Sequence, residues 1–547
     1  MRLSRLFLLS ILSAAFLPAF SQDLKLDKST KNALTRVDTT RIKRDITYLA
    51  DDKLKGRLPG TEGYQMAVDY VLNQFKEIGL TPAGDNGTFL QKLVLRKAVV
   101  NNKISTAVLK DRLGNEDTLV IGEDITLFPN ALKDKTLAEA QLVFIGYGLD
   151  VPGKYSDFEG IDVKGKIVVV LPGAPKGLQL PSTIQAHFGS PAAKMQIAES
   201  KGAIGMLMSL PVSGTAGALA SGVNVALTPD KTTAVGRNAI GTLQLSSRIS
   251  HSVLQRIFMN SGKSLSEVLG VLEQGKSSSF PLPLSIRVQY SSVYKDIESY
   301  NVIGKIEGSD KVLKNEYVIH TAHLDHLGVA AQIKGDSIYN GAHDNASGVA
   351  CLLAIARMYK EAGVKPRRSI LITMVTAEEM GLLGSAYFAA FPTVPKSQIV
   401  ADVNTDMPTL IAPLLSVAPL GAEHSSIDKN VDFACAQLGI EKQKDPMPEE
   451  FRFIRSDQYS FVLEGIPALH IKYGTKTLDP SFDLVKFTKE WRDANYHKPS
   501  DEITNGFDFN AAKKYAQLNF LISYSISQTT ARPKWNDGDF FGKMAVR

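Results

Sequence analysis

Cysteine is nearly missing from this chain: Cys351 and Cys435 are the two present in 547 residues. Two cannot build a disulfide framework at this length, and no Cys pair has zinc-finger spacing. Cys351 falls in an apolar helical pattern and reads as a small buried hydrophobe. Any metal must therefore be held by histidine and carboxylate. A run of Lys or Arg is missing too. The net charge of +6 is small and the basic residues are scattered, which excludes the electrostatic footprint of a nucleic-acid binder. No repeat of solenoid length is visible. Beyond the N-terminus, no segment is long and apolar enough to cross a bilayer.

What is present begins with Arg2 and Arg5, followed by an apolar stretch over 6–20 and the small-residue site around Ala19 and Ser21. This layout predicts a secretory signal peptide over 1–21. Pro18 and the shortness of the run argue against a retained anchor, so no stable membrane insertion is expected after cleavage. The mature protein is expected to be exported, periplasmic or secreted. No cysteine stands at the cleavage point to take a lipid. The length exceeds what one core supports and predicts two or three domains.

Residues 64–78 carry helical periodicity, with Ala67, Val68, Val71, Leu72 and Phe75 on one face and Gly79 as terminator. Between about 90 and 290 the texture is β-rich, with short runs such as 141–147 and 166–171 between Gly, Pro and Asn clusters. A helix over 192–200 precedes a buried strand ending at Met208. His187 and His251 stand alone there and read as surface or core residues. From Asn301 onward, apolar strands (316–322, 369–376, 399–403, 466–471) alternate with helical stretches, the longest over 346–362. Such alternation predicts an α/β fold with a sheet covered on both faces.

The chemistry sits where those strands end. One runs into His323-Leu324-Asp325-His326, the next into Ala377-Glu378-Glu379, the third into Asn404-Thr405-Asp406. Ligands of α/β sheets bind outside the carboxyl ends of the strands, so these groups are expected on one rim. His343-Asp344-Asn345 lies in a loop before the long helix, and Tyr496-His497-Lys498-Pro499-Ser500-Asp501 in a polar loop far downstream. Imidazole with carboxylate suits zinc. The neighbouring acids Glu378 and Glu379 can divide the labour, one binding metal and the other accepting a proton from water. Taken singly, each has a plain structural explanation. Asp344-Asn345 could cap the helix, Asp406 near Pro408 could be a turn residue, Asp325 a solvated acid and His497 an exposed loop histidine. Their joint occurrence in order at strand ends outweighs those explanations.

The ordered set His323-x-Asp325, Asp344-Asn345-Ala346-Ser347-Gly348, Glu378-Glu379, Asp406-Met407 and Tyr496-His497-x-Pro499-Ser500-Asp501 resembles the co-catalytic zinc exopeptidases of the aminopeptidase Y and transferrin-receptor-like group. Gly56-Arg57-x-x-Gly60-Thr61, Ile454-Arg455-Ser456-Asp457 and Gly465-Ile466-Pro467-Ala468 extend the likeness. The resemblance implies a mixed central sheet flanked by helices and two Zn2+ ions. It makes Asp344 the bridge, with a cis peptide to Asn345. His323 and Asp406 complete one site, Glu379 and His497 the other. Glu378 is the general base, Asp325 orients His323 through its second ring nitrogen, and Tyr496 and Arg455 contact the oxyanion or substrate. The implied substrate is a peptide with a free N-terminus. Residues 142–148, 155–158, 162–170 and 202–205 resemble a protease-associated (PA) domain. The expected layout is a zinc peptidase domain over 30–105 and 290–535 interrupted by a PA insert over 106–289. His343 and Gln458 depart from the family pattern at positions outside the ligand set, and His326 reads as a loop residue. A one-zinc glutaminyl cyclase, a carboxypeptidase with a cationic pocket and a non-catalytic binding ectodomain are the alternatives. Oligomeric state is left open.

Overall fold

A computed structural model of the protein describes residues 24–211 and 222–544. The leader over 1–21 lies outside the described residues. Helix α1 (Thr39–Leu49) is capped by Asp38, whose carboxylate accepts the N–H of Thr40. Helix α2 (Glu62–Ile78) starts on the Thr61 hydroxyl and stops at Gly79, whose φ of 80° needs no Cβ. It begins two residues before the periodic stretch, because the cap lies upstream of the first apolar residue. Ala67, Val68, Val71 and Phe75 are fully buried, while Leu72 packs partly exposed at the margin.

Strand β1 (Leu90–Val100) leads into the β-rich stretch: β2 (Thr106–Asp111), β3 (Lys135–Ile145), β4 (Ile167–Val170), helix α3 (Pro191–Ser200), β5 (Gly205–Ser209), β6 (Gly222–Leu227) and β7 (Leu245–Ile249). Parallel pairing joins β3 to β4, β4 to β5 and β5 to β7. Their side chains form a core of their own, with Leu142, Phe144, Ile167, Val169 and Leu207 on one face of the sheet. Val143, Val168, Val170, Met206 and Met208 pack on the other.

Strand β8 (Ser279–Ile306) runs for 28 residues. Its first part pairs antiparallel with β2 and β3, and from Ser292 onward it pairs antiparallel with β1. The position 289/290, where sequence texture changes, is therefore inside one continuous strand. Beyond it come β9 (Tyr317–His323), α4 (Ser347–Glu361), β10 (Ser369–Val375), α5 (Leu383–Ala390), β11 (Ile399–Asn404), β12 (Ser416–Leu420), α6 (Gln458–Leu463), β13 (Ala468–Tyr473), α7 (Leu484–Asn495) and α8 (Phe509–Gln528). The order β10-β9-β11-β13 is parallel throughout. The end of β8 adds antiparallel beside β10, and β12 adds antiparallel beside β13, which makes the sheet mixed.

Side chains alternate across this sheet with the period of two that strands impose. Val318, Ile370 and Ile372 face α1, α2, α4 and α8 in one core. Ile319 and Leu371 face α5 and α6 in the other. The sheet is thus covered on both faces, as its apolar strands predicted. No helix among the described residues is long and apolar enough to cross a membrane. Truncating Ile319 to Ala opens a cavity in the second layer and is expected to destabilise by about 2–5 kcal/mol. Denaturant unfolding checks this, and a loss below about 0.5 kcal/mol would mean that layer is not tightly packed.

Candidate metal centre

His323 stands opposite Val375 in the register of β9 and β10, and Thr321 opposite Asn404 in that of β9 and β11. The three strands therefore deliver His323, Glu378 with Glu379, and Asp406 to one rim. Asp344 arrives from the turn Ala342–Ala346, and its peptide to Asn345 is cis.

Three groups hold that turn. The Asp501 carboxylate accepts the N–H of His343 at 2.9 Å and of Asp344 at 3.0 Å. The Asn345 side chain donates to Thr405 O at 2.9 Å, while its oxygen accepts the N–H of Gly348 at 3.0 Å and of Met407 at 3.2 Å. Gly348 is required there, since a Cβ would lie 2.2 Å from that oxygen and 2.5 Å from Thr405 O. Arg57, 1% exposed, donates to Leu324 O, Asn340 O and Gly341 O at 2.9, 2.7 and 3.1 Å, and also to Leu49 O. Burial lowers its pKa to about 10, opposed by Asp325 and Asp344, so the guanidinium stays charged at neutral pH.

His323 Nε2 lies 3.1 Å from Asp344 Oδ1 and 3.4 Å from Asp406 Oδ1. His497 Nε2 lies 3.3 Å from Asp344 Oδ2 and 3.1 Å from Glu379 Oε2. Asp344 turns one oxygen toward each imidazole. Donor atoms of His323, Asp344 and Asp406 fall within 4.8 Å of one another, and so do those of His326, Asp344 and Glu379. Two clusters of imidazole and carboxylate sharing one aspartate fit a zinc pair by donor chemistry. Burial would raise the Asp344 pKa, but hydrogen bonding to His323 and His497 overrides it and holds the carboxyl well below its usual range. Burial pushes Glu378 the other way, well above that range, and the negative Glu379, Asp406 and Asp457 add to the push.

Asp325 meets His323 at its second ring nitrogen through main chain. Its main-chain oxygen, not its carboxylate, lies at 3.1 Å from His323 Nδ1. The nearer carboxylate oxygen is 3.8 Å away. The carboxylate accepts the backbone N–H of Glu378 at 3.1 Å and of Glu379 at 3.3 Å. One residue thus braces His323 and the glutamate pair together. Reading His326 as a plain loop residue misses its position. It is fully buried, with Nδ1 2.7 Å from Glu379 Oε1 and its ring 5.8 Å from that of His497. Its place three residues after His323 was the available signal.

Tyr496 stacks on His497 with ring centroids 3.8 Å apart. Tyr496 and Arg455 both line a cavity that Asp406 borders. The two departures from the family pattern are structural. His343 stacks on Phe507 at 3.7 Å, and burial lowers its pKa to about 3, so it is a neutral packing ring. The Gln458 oxygen accepts from Asn404 Nδ2 at 2.7 Å. His187, read as isolated, is buried with Nδ1 2.5 Å from the Tyr459 hydroxyl of α6.

Residues 301–522 match the family model described as peptidase family M28. That span contains His323, Asp344, Glu378, Glu379, Asp406 and His497. The chain is 28% identical over 218 residues to probable leucine aminopeptidase 2 of Aspergillus fumigatus, covering 38% of this chain and 40% of that one. It is 28% identical over 210 residues to leupeptin-inactivating enzyme 1 of Streptomyces exfoliatus, covering 38% of this chain and 44% of that one. The matches span less than half the length of either relative. A solved aminopeptidase from Aneurinibacillus sp. strain AM-1 aligns over 92% of this chain and 97% of its own, at 18% identity and a TM-score of 0.47.

Replacing Arg57 with Met removes its donors from the buried carbonyls of Leu324 and Asn340, and leaves that of Gly341 with the Ala346 N–H alone. The variant is expected to lose about 3–5 kcal/mol of stability and to bind metal more weakly. Unfolding curves and metal content by elemental analysis check both, and full metal loading at wild-type stability would refute the bracing role.

Proposed function

We propose that this protein is an exported two-zinc aminopeptidase that removes N-terminal residues from peptides. The observation that carries the reading is the shared carboxylate: Asp344 faces His323 with one oxygen and His497 with the other, with the buried acid Glu378 beside them. In this reading His323, Asp344 and Asp406 hold one ion, and Asp344, Glu379 and His497 hold the other. When bound, such a pair polarises the scissile carbonyl and makes water acidic enough to be deprotonated near neutral pH.

The chain's own groups do the rest. Glu378 takes the proton of the attacking water and returns it to the leaving amine. Burial and three neighbouring acids raise its proton affinity, and bound cations would lower it again toward that of a group able to accept a proton. Asp325 fixes the glutamate backbone through two N–H bonds, so the base is aimed by main chain. Tyr496 and Arg455 border the space next to Asp406 and are placed to meet substrate. Donors around both positions are retained, which speaks against a one-zinc cyclase and against a non-catalytic ectodomain. M28 membership of the 301–522 region and the aminopeptidase names of its relatives support the peptidase class.

We also assign 106–289 as a PA-type insert in a peptidase domain spanning 30–105 and 290–535. The separate cores of the β-rich stretch support this. So do its contacts with the site's second layer: His187 with Tyr459, and Arg237 donating to Ile454 O. The charged and apolar pattern over 1–21 supports export.

Elemental analysis of the purified protein is expected to find about two zinc ions per chain. Glu378→Ala is expected to keep them while kcat on aminoacyl amides falls by about 10²–10⁴-fold. Asp344→Ala is expected to lose both ions together. Wild-type protein that binds no metal would end this reading.

A further inference from the structure

Next to Asp406 and Tyr496 the surface closes around a cavity of about 60 Å³. Its charge is unusual. Arg452, Arg455, Lys472 and Arg492 all line it, and Asp406 is the one carboxylate among the lining side chains. The cations arrive from separate elements: the turn Arg452–Ile454 and the residue after it, strand β13, and helix α7.

Only two of the four are answered by acids. Arg452 pairs with Asp445, and Arg492 pairs with Glu450 at 2.6 Å. Lys472 Nζ donates to the main-chain oxygens of Asp406 and Met407 at 2.7 and 3.0 Å. Arg455 is exposed and makes no side-chain hydrogen bond or ion pair among the described residues. Acids and main-chain oxygens hold three of the four cations in place, so Arg455 is the one whose charge has no such partner among the described residues where it lines the cavity. What four cations in a small space complement is a carboxylate.

We propose that this cavity receives the side-chain carboxylate of an N-terminal aspartate or glutamate, so that the enzyme prefers acidic N-terminal residues. Arg455 and Lys472 carry the charge recognition, and Arg452 and Arg492 set the positive field behind them. The inference rests on the aminopeptidase reading and adds the substrate class to it.

The test compares hydrolysis of Glu-, Gln-, Asp-, Asn- and Leu-p-nitroanilide by the zinc-loaded full chain and by its R455Q and K472M variants. N-acetyl-Ala-Glu, which has no free amine, forms a separate arm. Wild type is expected to favour Glu over Gln by at least about tenfold in kcat/KM, the yield of one charge-assisted hydrogen bond. R455Q and K472M are each expected to cut that ratio by a similar factor, mainly through KM. Arg455 has no partner to lose, so an unchanged melting temperature and zinc content establish that R455Q is folded. If Leu-p-nitroanilide is cleaved but Glu is no better than Gln, the cavity assignment falls and the aminopeptidase reading stands. If only N-acetyl-Ala-Glu is cleaved, both fall in favour of a carboxypeptidase that takes a C-terminal acid. Zinc-loaded protein inert toward every substrate removes both as well.

Discussion

The constraint on which this site depends is the fixed orientation of one buried carboxylate. Asp344 must offer its two oxygens to two imidazoles that arrive from opposite ends of the 301–522 region, and a freely rotating side chain on a loose turn would not hold that aim. The turn is locked from three directions. Asp501 takes its amide hydrogens, Asn345 ties it to the loop of Asp406, and Arg57 ties it to the loop of His323. Each of these is a side chain bonded to main chain, so the geometry of the rim is set by backbone and not by the acids themselves. This matters because the acids repel. Five carboxylates, of Asp344, Glu378, Glu379, Asp406 and Asp457, lie close enough to perturb one another's proton affinity, and only an independently braced frame keeps them there.

That frame also explains which parts of the protein were legible in its sequence. The strands of the central sheet were, because β9, β10 and β11 are buried on both faces and therefore apolar almost without interruption. The strand-end clusters were, because their residue types are costly to bury without a purpose. Arg57 was visible only through its motif, and its role was not. It bonds to carbonyls at Leu49, Leu324, Asn340 and Gly341, and a carbonyl is present at every position, so no side-chain pattern records the contact. His326 lies in a loop as expected, but its contact with Glu379 was not visible for a related reason: Glu379 comes from a different strand end, and sequence gives no measure of that separation. The motif places Asp325 at the second ring nitrogen of His323 without saying which atom meets it, and it is the carbonyl that does so, a distinction of atoms within one residue that a motif cannot express.

The cationic cavity was illegible for the opposite reason. Its members lie at 452, 455, 472 and 492, within a stretch whose composition is ordinary, and only Arg452 and Arg455 have a spacing that puts two of them on one face. They meet where residues of α7, β13 and the turn at Arg452–Ile454 line one cavity. A sequence without any Lys or Arg run can still concentrate positive charge in one place, and here it does so beside the group that would bind metal.

The continuity of β8 decides how the β-rich stretch relates to this rim. A strand that pairs with β2 and β3 at one end and with β1 and β10 at the other cannot bend freely between them, since its ladder bonds continue across the position where the texture of the sequence changes. Rotation of the 106–289 stretch about that point would break consecutive pairs with β1 or with β3. The contacts of His187 with Tyr459 and of Arg237 with Ile454 add a second point of attachment on the far side, close to Arg455 and the cavity. Two attachments fix an orientation where one would leave a hinge. The strand ladder and the contacts at Tyr459 and Ile454 thus hold the stretch at two separate places on the rest of the chain.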